Sequence, residues 1–371
     1  MVLHLIDSAG LYGAEKVTLS LLEELRGSDC PGVLGCLCVQ GEDIPVIAKR
    51  CKELGVEVQL FPMRRGIDFS GIIQIMRYVK KTKTSIVHTH GYKPNILMSL
   101  LPKRLCKRVA TVHGWAKGTG SYLVRLYELL DSLALKRADY IIAVSYGVKS
   151  DLLGKGFSSE EIHVIHNGIK FRPRTHNGVE RQEARRLLGL KEEHLVVAAV
   201  GRLSPIKGHG NLIEAFFKSL SLIRPAVLII AGEGPLRGSL EQMVKRLGLE
   251  ESVRLPGFIE DIPNFLEAID IFVMPSYSEG MPIALLEAMM EEKPVIATNV
   301  GGIPEVISGS DVGVLISPDN IPELTDAIIA LGTDAVRRAR VGQVGRQVIG
   351  KRFSSQSMAR SYRAVYKMCV V

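Results

Sequence analysis

The stretch 275–298, PSYSEGMPIALLEAMMEEKPVIAT, holds two carboxylates eight residues apart, Glu279 and Glu287. A strand is expected to end at Met274, and a loop with Ser276, Ser278, Glu279 and Gly280 follows. Pro282 suits the first turn of a helix. The run 283–290 is apolar on every side except at Glu287. That pattern predicts a buried helix whose single acid needs a strong partner. Glu279 stands at the open N-terminus of this helix, where backbone N–H groups attract phosphate. A carboxylate pair around such an end can accept hydrogen bonds from sugar hydroxyls, with Glu279 near the phosphate and Glu287 deeper. A helix cap at Glu279 and a buried ion pair at Glu287 fit the same residues.

A second candidate is Gly201-Arg202-Leu203-Ser204-Pro205-Ile206-Lys207-Gly208, placed after an apolar strand and before a helix. Two cations in a glycine-flanked loop at a strand's carboxyl end can neutralise a diphosphate, although a solvated basic loop reads the same way. A third is Ser8-Ala9-Gly10-Leu11-Tyr12-Gly13, a glycine turn before a helix start. It lacks the GxGxxG order of a dinucleotide site. Histidines mark strand ends at His88, His90, His113 and His166, and His113-Gly114 is the best placed of them for chemistry. His88 and His90 have no third histidine or carboxylate at ligand spacing, so no metal site is expected. Asp-x-Asp, a Walker A loop and GxSxG are all missing, which removes the usual metal handle on a nucleotide and two hydrolase classes.

Elements of two kinds must position these residues. Short Val/Ile-rich runs predict strands at 2–6, 33–39, 56–61, 86–88, 109–112, 140–144 and 163–165. In the second half they fall at 195–200, 226–231, 253–255, 271–274, 295–297 and 314–316. Amphipathic stretches between them, such as 14–26, 123–137, 212–222, 236–247 and 283–290, predict helices. Continuous apolar strands separated by helices mean parallel sheets covered on both faces. The expected fold class is α/β, with two doubly wound Rossmann-like domains facing each other across a cleft. The first covers 1–170 and the second 171–353. A polar stretch at 168–185 with turn signals at Asn167, Pro173 and Asn177 reads as the connection. A last helix at 354–371 is expected to cross back to the first domain.

The length of 371 residues suits two domains, and 46% apolar with 23% charged residues suits a globular protein rather than a disordered one. Six cysteines without a CxxC read as reduced thiols. The expected location is the cytoplasm, because Asp7 and Gly10 interrupt the N-terminal apolar run and no stretch reaches the length of a membrane span. Of the net charge of +8, residues 1–170 carry +7, from 23 Lys and Arg against 16 Asp and Glu. No nucleic-acid motif accompanies this excess, so an anionic membrane surface on the inner face of the cytoplasmic membrane, or an acidic acceptor, is expected rather than nucleic acid; a basic solvated face that serves solubility fits the same charge. The helical stretch 71–83, with Arg77, Lys80, Lys81 and Lys83, and the turn 103–108 are the expected contacts.

The motifs GRLSPIKG (201–208), AGEGPLRGSLE (231–241), VRLPGF (253–258), SEGMPIALLEAM (278–289) and KPVIATNVGGIPEVI (293–307), with VIHNGI (164–169), occur in this order. On them the chain resembles the retaining glycosyltransferases of GT-B fold, glycosyltransferase family four (glycosyl transferases group one), over nearly its whole length. SAGLYGAEK resembles the family's glycine loop but places Leu11-Tyr12 where adjacent glycines are common. The resemblance implies a hexosyltransferase that moves a sugar from a UDP- or GDP-sugar to an acceptor hydroxyl with retention and without a divalent metal. The acceptor would be a sugar or lipid-linked sugar in cell-envelope polysaccharide, lipopolysaccharide or glycolipid synthesis. It implies that Arg202 and Lys207 hold the diphosphate, Glu279 and His113 meet the donor sugar, and Glu287 binds the ribose. Gly13, Gly280, Met281 and Pro282 would line the donor, and Pro256, Gly257 and Phe258 would lie near the base. A nucleotide-sugar epimerase and a non-catalytic sugar-nucleotide-binding protein are the alternatives. The combined presence of Arg202, Lys207, Glu279, Glu287 and His113 disfavours both.

Overall fold

The computed structural model describes residues 1–8, 10–66, 68–115, 122–171 and 178–370. Ala9, Pro173 and Asn177, named above, lie outside them. The chain divides into two compact units, Met1–Lys170 with Phe353–Val371 and Phe171–Arg352.

Unit 1 is built on a seven-stranded sheet: β1 Val2–Asp7, β2 Gly32–Val39, β3 Val58–Met63, β4 Ile86–His90, β5 Lys107–Val112, β6 Tyr140–Ala143 and β7 Ile162–Val164. Unit 2 carries six strands: β8 Leu195–Val200, β9 Ala226–Ala231, β10 Val253–Gly257, β11 Ile271–Met274, β12 Val295–Thr298 and β13 Val314–Ile316. The orders are β3-β2-β1-β4-β5-β6-β7 and β10-β9-β8-β11-β12-β13. Every pairing is parallel. These are two Rossmann-like sheets, with a reversal of winding between β1 and β4 in one and between β8 and β11 in the other. Ligands of open parallel sheets sit beyond the strand ends at such a reversal.

The strands form where both faces are covered. All six residues of β9 are buried, as are Val196, Val197, Ala198 and Ala199 of β8. Leu212, Phe216 and Leu220 of the helix His209–Ile223 and Leu324, Ile328 and Leu331 of the helix Ile321–Thr333 close one side of that core. Truncating one of these leucines to alanine removes about 2–5 kcal/mol.

The polar stretch read as a connection up to residue 185 differs from expectation. Residues Gly178–Leu187 form a helix packed on the helix Ile262–Ala268. Its buried side holds Ala184 and Arg185. The Arg185 guanidinium donates to the carbonyls of Ala268 and Lys191 and pairs with Asp270. Hydrogen bonds there replace the apolar stripe that periodicity detects.

The helix Ser355–Val370 belongs to unit 1. Ser355 donates to Glu24 at 2.7 Å, Arg363 and Lys367 pair with Asp29, and Tyr362 and Tyr366 are fully buried. Among the described residues no helix is long and apolar enough to cross a membrane. All six cysteines are free, and four of them are buried.

Candidate functional site

In unit 2 the β8–β11 reversal brings two charged loops together. Lys207 sits in a short turn, Pro205–Lys207, after β8, and Glu279 lies after β11. The Lys207 Nζ donates to Glu279 Oε1 at 2.6 Å. Ser276 Oγ donates to the same oxygen at 2.6 Å. Both loops are held by backbone bonds, with the Tyr277 N–H donating to the Ile206 carbonyl at 2.8 Å. Thr298 Oγ1 donates to the Ser276 carbonyl at 2.5 Å. The Glu279 side chain is 9% exposed and that of Lys207 24%, so the ion pair is mostly withdrawn from water. Removing one member of such a pair strands the other charge.

Two glycines permit this approach. Gly208 has φ +65°, and a Cβ there would lie 2.1 Å from the Pro275 carbonyl oxygen. Gly301 has φ +54°, and its Cβ would lie 1.7 Å from the Glu279 carbonyl oxygen. Neither position admits a side chain while the Glu279 loop stays in place.

The helix Ile283–Met290 begins behind Gly280 and Met281, and its N-cap residue makes no side-chain cap bond. Pro282 is the N-cap, with extended backbone at φ −78° and ψ 119°, rather than a residue of the first turn. Met281 and Pro282 are buried. Glu287 is half-buried instead of deep, because Ala284 and Glu287 form the one strip of this helix left uncovered. Arg202 is exposed at the exit of β8, so of the two loop cations Lys207 alone meets Glu279. Pro256 and Gly257 end β10, with φ +90° at Gly257, and Phe258 beyond them is 60% exposed.

Unit 1 assembles a different centre. The register pairs His4 with His88 and Ile6 with His90 across β1 and β4. Alternation along the strands puts His4, His88 and His90 on one face, with Thr111 of β5 and then His113 beside them. His4 Nδ1 lies 3.2 Å from His90 Nε2, and His90 Nδ1 lies 3.3 Å from His113 Nε2. Burial pushes His4 down to about 3 and His113 to about 4, and holds His88 and His90 well below the ordinary histidine value. The third histidine absent from ligand spacing in the sequence is therefore His4, brought in by strand pairing. One ring nitrogen from each of His4, His88 and His90 can be chosen so that the three lie within 4.8 Å of one another.

At the end of β1, Gly13 opens the helix Gly13–Leu25, with exposed Tyr12 as its N-cap. A groove of about 680 Å³ lies beside this turn, lined by Asp7, Ser8, Gly10, Cys38, Glu42 and Lys49 among others. Burial pushes the Asp7 carboxyl above its usual range, against the pull of Lys93 at 3.8 Å. Sequence reasoning named Ser276 as a loop residue without a role. Its spacing three residues before Glu279 is the signal for the bond it makes.

Two Rossmann-like domains on parallel sheets of seven and six strands, with a charged loop pair at the reversal of the second, are a GT-B fold. The chain matches the model described as "Glycosyl transferases group 1" over residues 180–348. It matches the model described as "Glycosyltransferase Family 4" over residues 12–171. An Escherichia coli protein, UDP-Gal:alpha-D-GlcNAc-diphosphoundecaprenol alpha-1,3-galactosyltransferase, is 33% identical over 285 residues, 72% of each chain. The N-acetyl-alpha-D-glucosaminyl L-malate synthase of Bacillus anthracis is 25% identical over 294 residues, 77% of this chain and 75% of its own. This chain belongs to that glycosyltransferase family. In fold it resembles Anabaena Alr3699/HepE, solved in complex with UDP, at 21% identity, 99% coverage of both chains and a TM-score of 0.85. It also resembles WaaG, a glycosyltransferase involved in lipopolysaccharide biosynthesis, at 18% identity, 98% and 99% coverage and a TM-score of 0.75.

Proposed function

We propose that the protein transfers a hexose from a nucleoside-diphosphate sugar to a hydroxyl of a sugar or lipid-linked sugar acceptor in cell-envelope synthesis, with retention and without a divalent metal. The observation that carries this reading is the Lys207–Glu279–Ser276 cluster beside an uncapped helix start at a sheet reversal. A diphosphate suits the uncapped N–H groups and the cations Lys207 and Arg202. Glu279 spends Oε1 on Lys207 and Ser276, and its Oε2 suits a sugar hydroxyl. Glu287, half-exposed on the same helix, suits the ribose hydroxyls, and Phe258 with Pro256 and Gly257 suits the base. The backbone at Gly280, Met281 and Pro282 cradles the phosphates, and the family resemblance assigns His113 to the donor sugar.

In the reaction the acceptor oxygen bonds to the anomeric carbon as the bond from that carbon to the diphosphate breaks. The acceptor approaches the face from which the diphosphate departs, and a departing phosphate oxygen takes the acceptor's proton. Positive charge at Lys207, Arg202 and the helix start stabilises the developing diphosphate. Such preorganised charge contributes several kcal/mol in comparable sites. The absence of Asp-x-Asp from the sequence supports a metal-free donor site. The groove beside Asp7 and Gly13 suits a hydroxyl-rich acceptor, and the lipid-linked acceptor in the Escherichia coli relative's name supports that class.

A panel of radiolabelled UDP- and GDP-sugars, incubated in chelator, tests the reading. Release of free nucleotide supports a transferase, and binding without turnover supports the non-catalytic alternative. The anomeric configuration of the glycoside product, read by NMR, tests retention.

Unit 1 holds 26 Lys and Arg against 16 Asp and Glu, and unit 2 holds 21 against 23. This asymmetry supports docking of unit 1 on an anionic membrane, each cation contributing about 1 kcal/mol near the surface. On the helix Phe69–Thr82, Ile72 and Ile75 face the core while Phe69 and Ile73 are exposed beside Arg77 and Lys80. Co-sedimentation with anionic and neutral vesicles at low and high salt tests it. Equal binding to both, or none at low salt, removes the membrane reading.

A further inference from the structure

The histidines of unit 1 are joined in a series that runs from the C-terminal helix to His113. Tyr362 Oη lies 3.1 Å from Thr111 Oγ1, and Thr111 Oγ1 lies 2.7 Å from His88 Nε2. His88 Nδ1 lies 2.7 Å from Tyr366 Oη, which lies 3.5 Å from His4 Nε2. His4 Nδ1 then meets His90 Nε2 at 3.2 Å, and His90 Nδ1 meets His113 Nε2 at 3.3 Å. His4, His88, Tyr362 and Tyr366 have no exposed surface, and His90 has 2%. Among the described residues, the titratable groups facing this series besides one another are the thiols of Cys30 and Cys369, toward Tyr366. Both thiols are pushed above their ordinary value, mainly by burial, so neither brings a charge near neutrality.

Without a charge nearby, each imidazole is neutral and carries one N–H and one bare nitrogen. The direction of the series is then decided at its buried end. Among the described residues Tyr362 has one hydrogen-bond partner, Thr111 Oγ1. A buried phenol that fails to donate carries an unmet desolvation cost, so Tyr362 donates to Thr111. Thr111 must then donate to His88 Nε2, which puts the His88 proton on Nδ1 and directs it to Tyr366 Oη. Tyr366 donates to His4 Nε2, His4 Nδ1–H donates to His90 Nε2, and His90 Nδ1–H donates to His113 Nε2. His113 is left with its proton on Nδ1, a nitrogen with no partner among the described residues.

We propose that Tyr362 and Tyr366, acting through Thr111, His88, His4 and His90, are positioning residues that lock His113 as the neutral Nδ1–H tautomer and so present a fixed hydrogen-bond donor to an oxygen of the donor sugar. The part about the sugar rests on the reading of His113 given under Proposed function; the tautomer does not. Burial, which holds His113 down at about 4, keeps this donor uncharged across the neutral range. A divalent metal among His4, His88 and His90 is the competing use of the same atoms. All six of their ring nitrogens already have protein partners, and among the described residues no carboxylate joins their cluster to balance a cation.

The test is a long-range proton–nitrogen correlation spectrum of the full-length protein labelled with ¹⁵N-histidine. The expected result is one His113 tautomer, protonated at Nδ1 and bare at Nε2, unchanged from pH 8 to pH 5.5. In Tyr366→Phe, which breaks the series and keeps the ring packing, His113 should shift toward the Nε2–H form. The KM for the donor should rise about fivefold, the size of one net hydrogen bond, with kcat changed less. An Nε2–H tautomer in the unaltered protein overturns the proposal and needs no variant to fold. Unchanged His113 nitrogen shifts in a folded Tyr366→Phe overturn it as well. So does one equivalent of zinc bound on titration of zinc alone, with coordination shifts at His4, His88 and His90. With UDP-glucose as probe, a locked His113 whose Nδ1 resonance does not respond while Lys207-dependent binding occurs removes the donor-sugar part alone. A locked His113 with no nucleotide bound at all overturns the reading of the unit 2 site instead.

Discussion

The two sheets share one winding order and use it in opposite ways. In unit 2 the central strands β8, β9 and β11 are apolar, and the polar groups of the site wait in loops beyond them: Lys207, Ser276 and Glu279, tied by short charge-assisted bonds. In unit 1 the polar groups are inside the sheet itself, as His4, His88 and His90, and burial keeps them uncharged. A charged pair at a loop is stabilised where water or a ligand reaches it, whereas imidazoles buried together within strands without a counter-charge stay neutral and hydrogen-bond one another. On the proposed reading, unit 2 holds an anion and unit 1 presents a hydrogen bond of fixed direction.

The sharpest way to break this contrast is to remove charge from unit 2. Lys207→Ala should lower turnover about 100- to 1,000-fold, the range for one electrostatic contact to a developing anion. Its circular dichroism should remain that of the folded protein. If turnover falls less than threefold, the pair is structural. Gly301→Ala attacks the same loop through the backbone. A Cβ 1.7 Å from the Glu279 carbonyl forces that loop to move. The expected cost is about 3 kcal/mol, read by denaturant unfolding, together with weaker nucleotide binding.

Acid separates the units next. In the unfolded chain histidine titrates near 6.5, whereas in the fold His4 is at about 3, His113 at about 4, and His88 and His90 well below the ordinary value. Between these values the unfolded chain binds protons that the fold refuses, so stability falls as pH drops below 6.5. The slope approaches about 1.4 kcal/mol per pH unit for each histidine. Asp131, pushed up to about 6 by burial, works in the opposite sense between its ordinary value and 6, as Asp7 and Glu15 do more weakly. Among the described residues unit 2 contains a single deeply buried histidine, His209, lowered to about 4. Hydrogen exchange at pH 7 and pH 5 should show β1, β4 and β5 losing protection before β8 and β9. The reverse order contradicts the comparison.

The smallest effect is expected on the surface of unit 1. Reversing Lys80, Lys81 and Lys83 to Glu should leave nucleotide affinity within twofold while removing binding to anionic vesicles. A larger change in nucleotide affinity would mean that these residues do more than line an exposed face.

Much of this arrangement is legible in the residues, and the exceptions have physical causes. β8, β9 and β11 coincide with their Val- and Ile-rich runs, because strands buried on both faces must be continuously apolar, and β13 coincides as well although it is an edge strand with Leu315 exposed. Lys207 and Glu279 could be named because loops at strand ends carry charge only at some cost. Glu287 was misjudged: an apolar run of eight residues does not say which strip of the helix stays uncovered. The helix Gly178–Leu187 was hidden because Arg185 fills its inner face by bonding to carbonyls. His4 was missed for a topological reason. β1 pairs with β4 across more than eighty residues, and the alternation in β4 does not reveal which strand will lie beside it.

Unit 2 is proposed to hold the diphosphate of a nucleotide-sugar through protein charge alone. Calorimetric titration of UDP and GDP in excess chelator, against the unaltered protein and Lys207→Ala, tests it most directly. One of the two nucleotides should bind with unchanged affinity when chelator is added, and at least tenfold more weakly to the variant. Binding that collapses on chelation, or that is the same for both proteins, would contradict it.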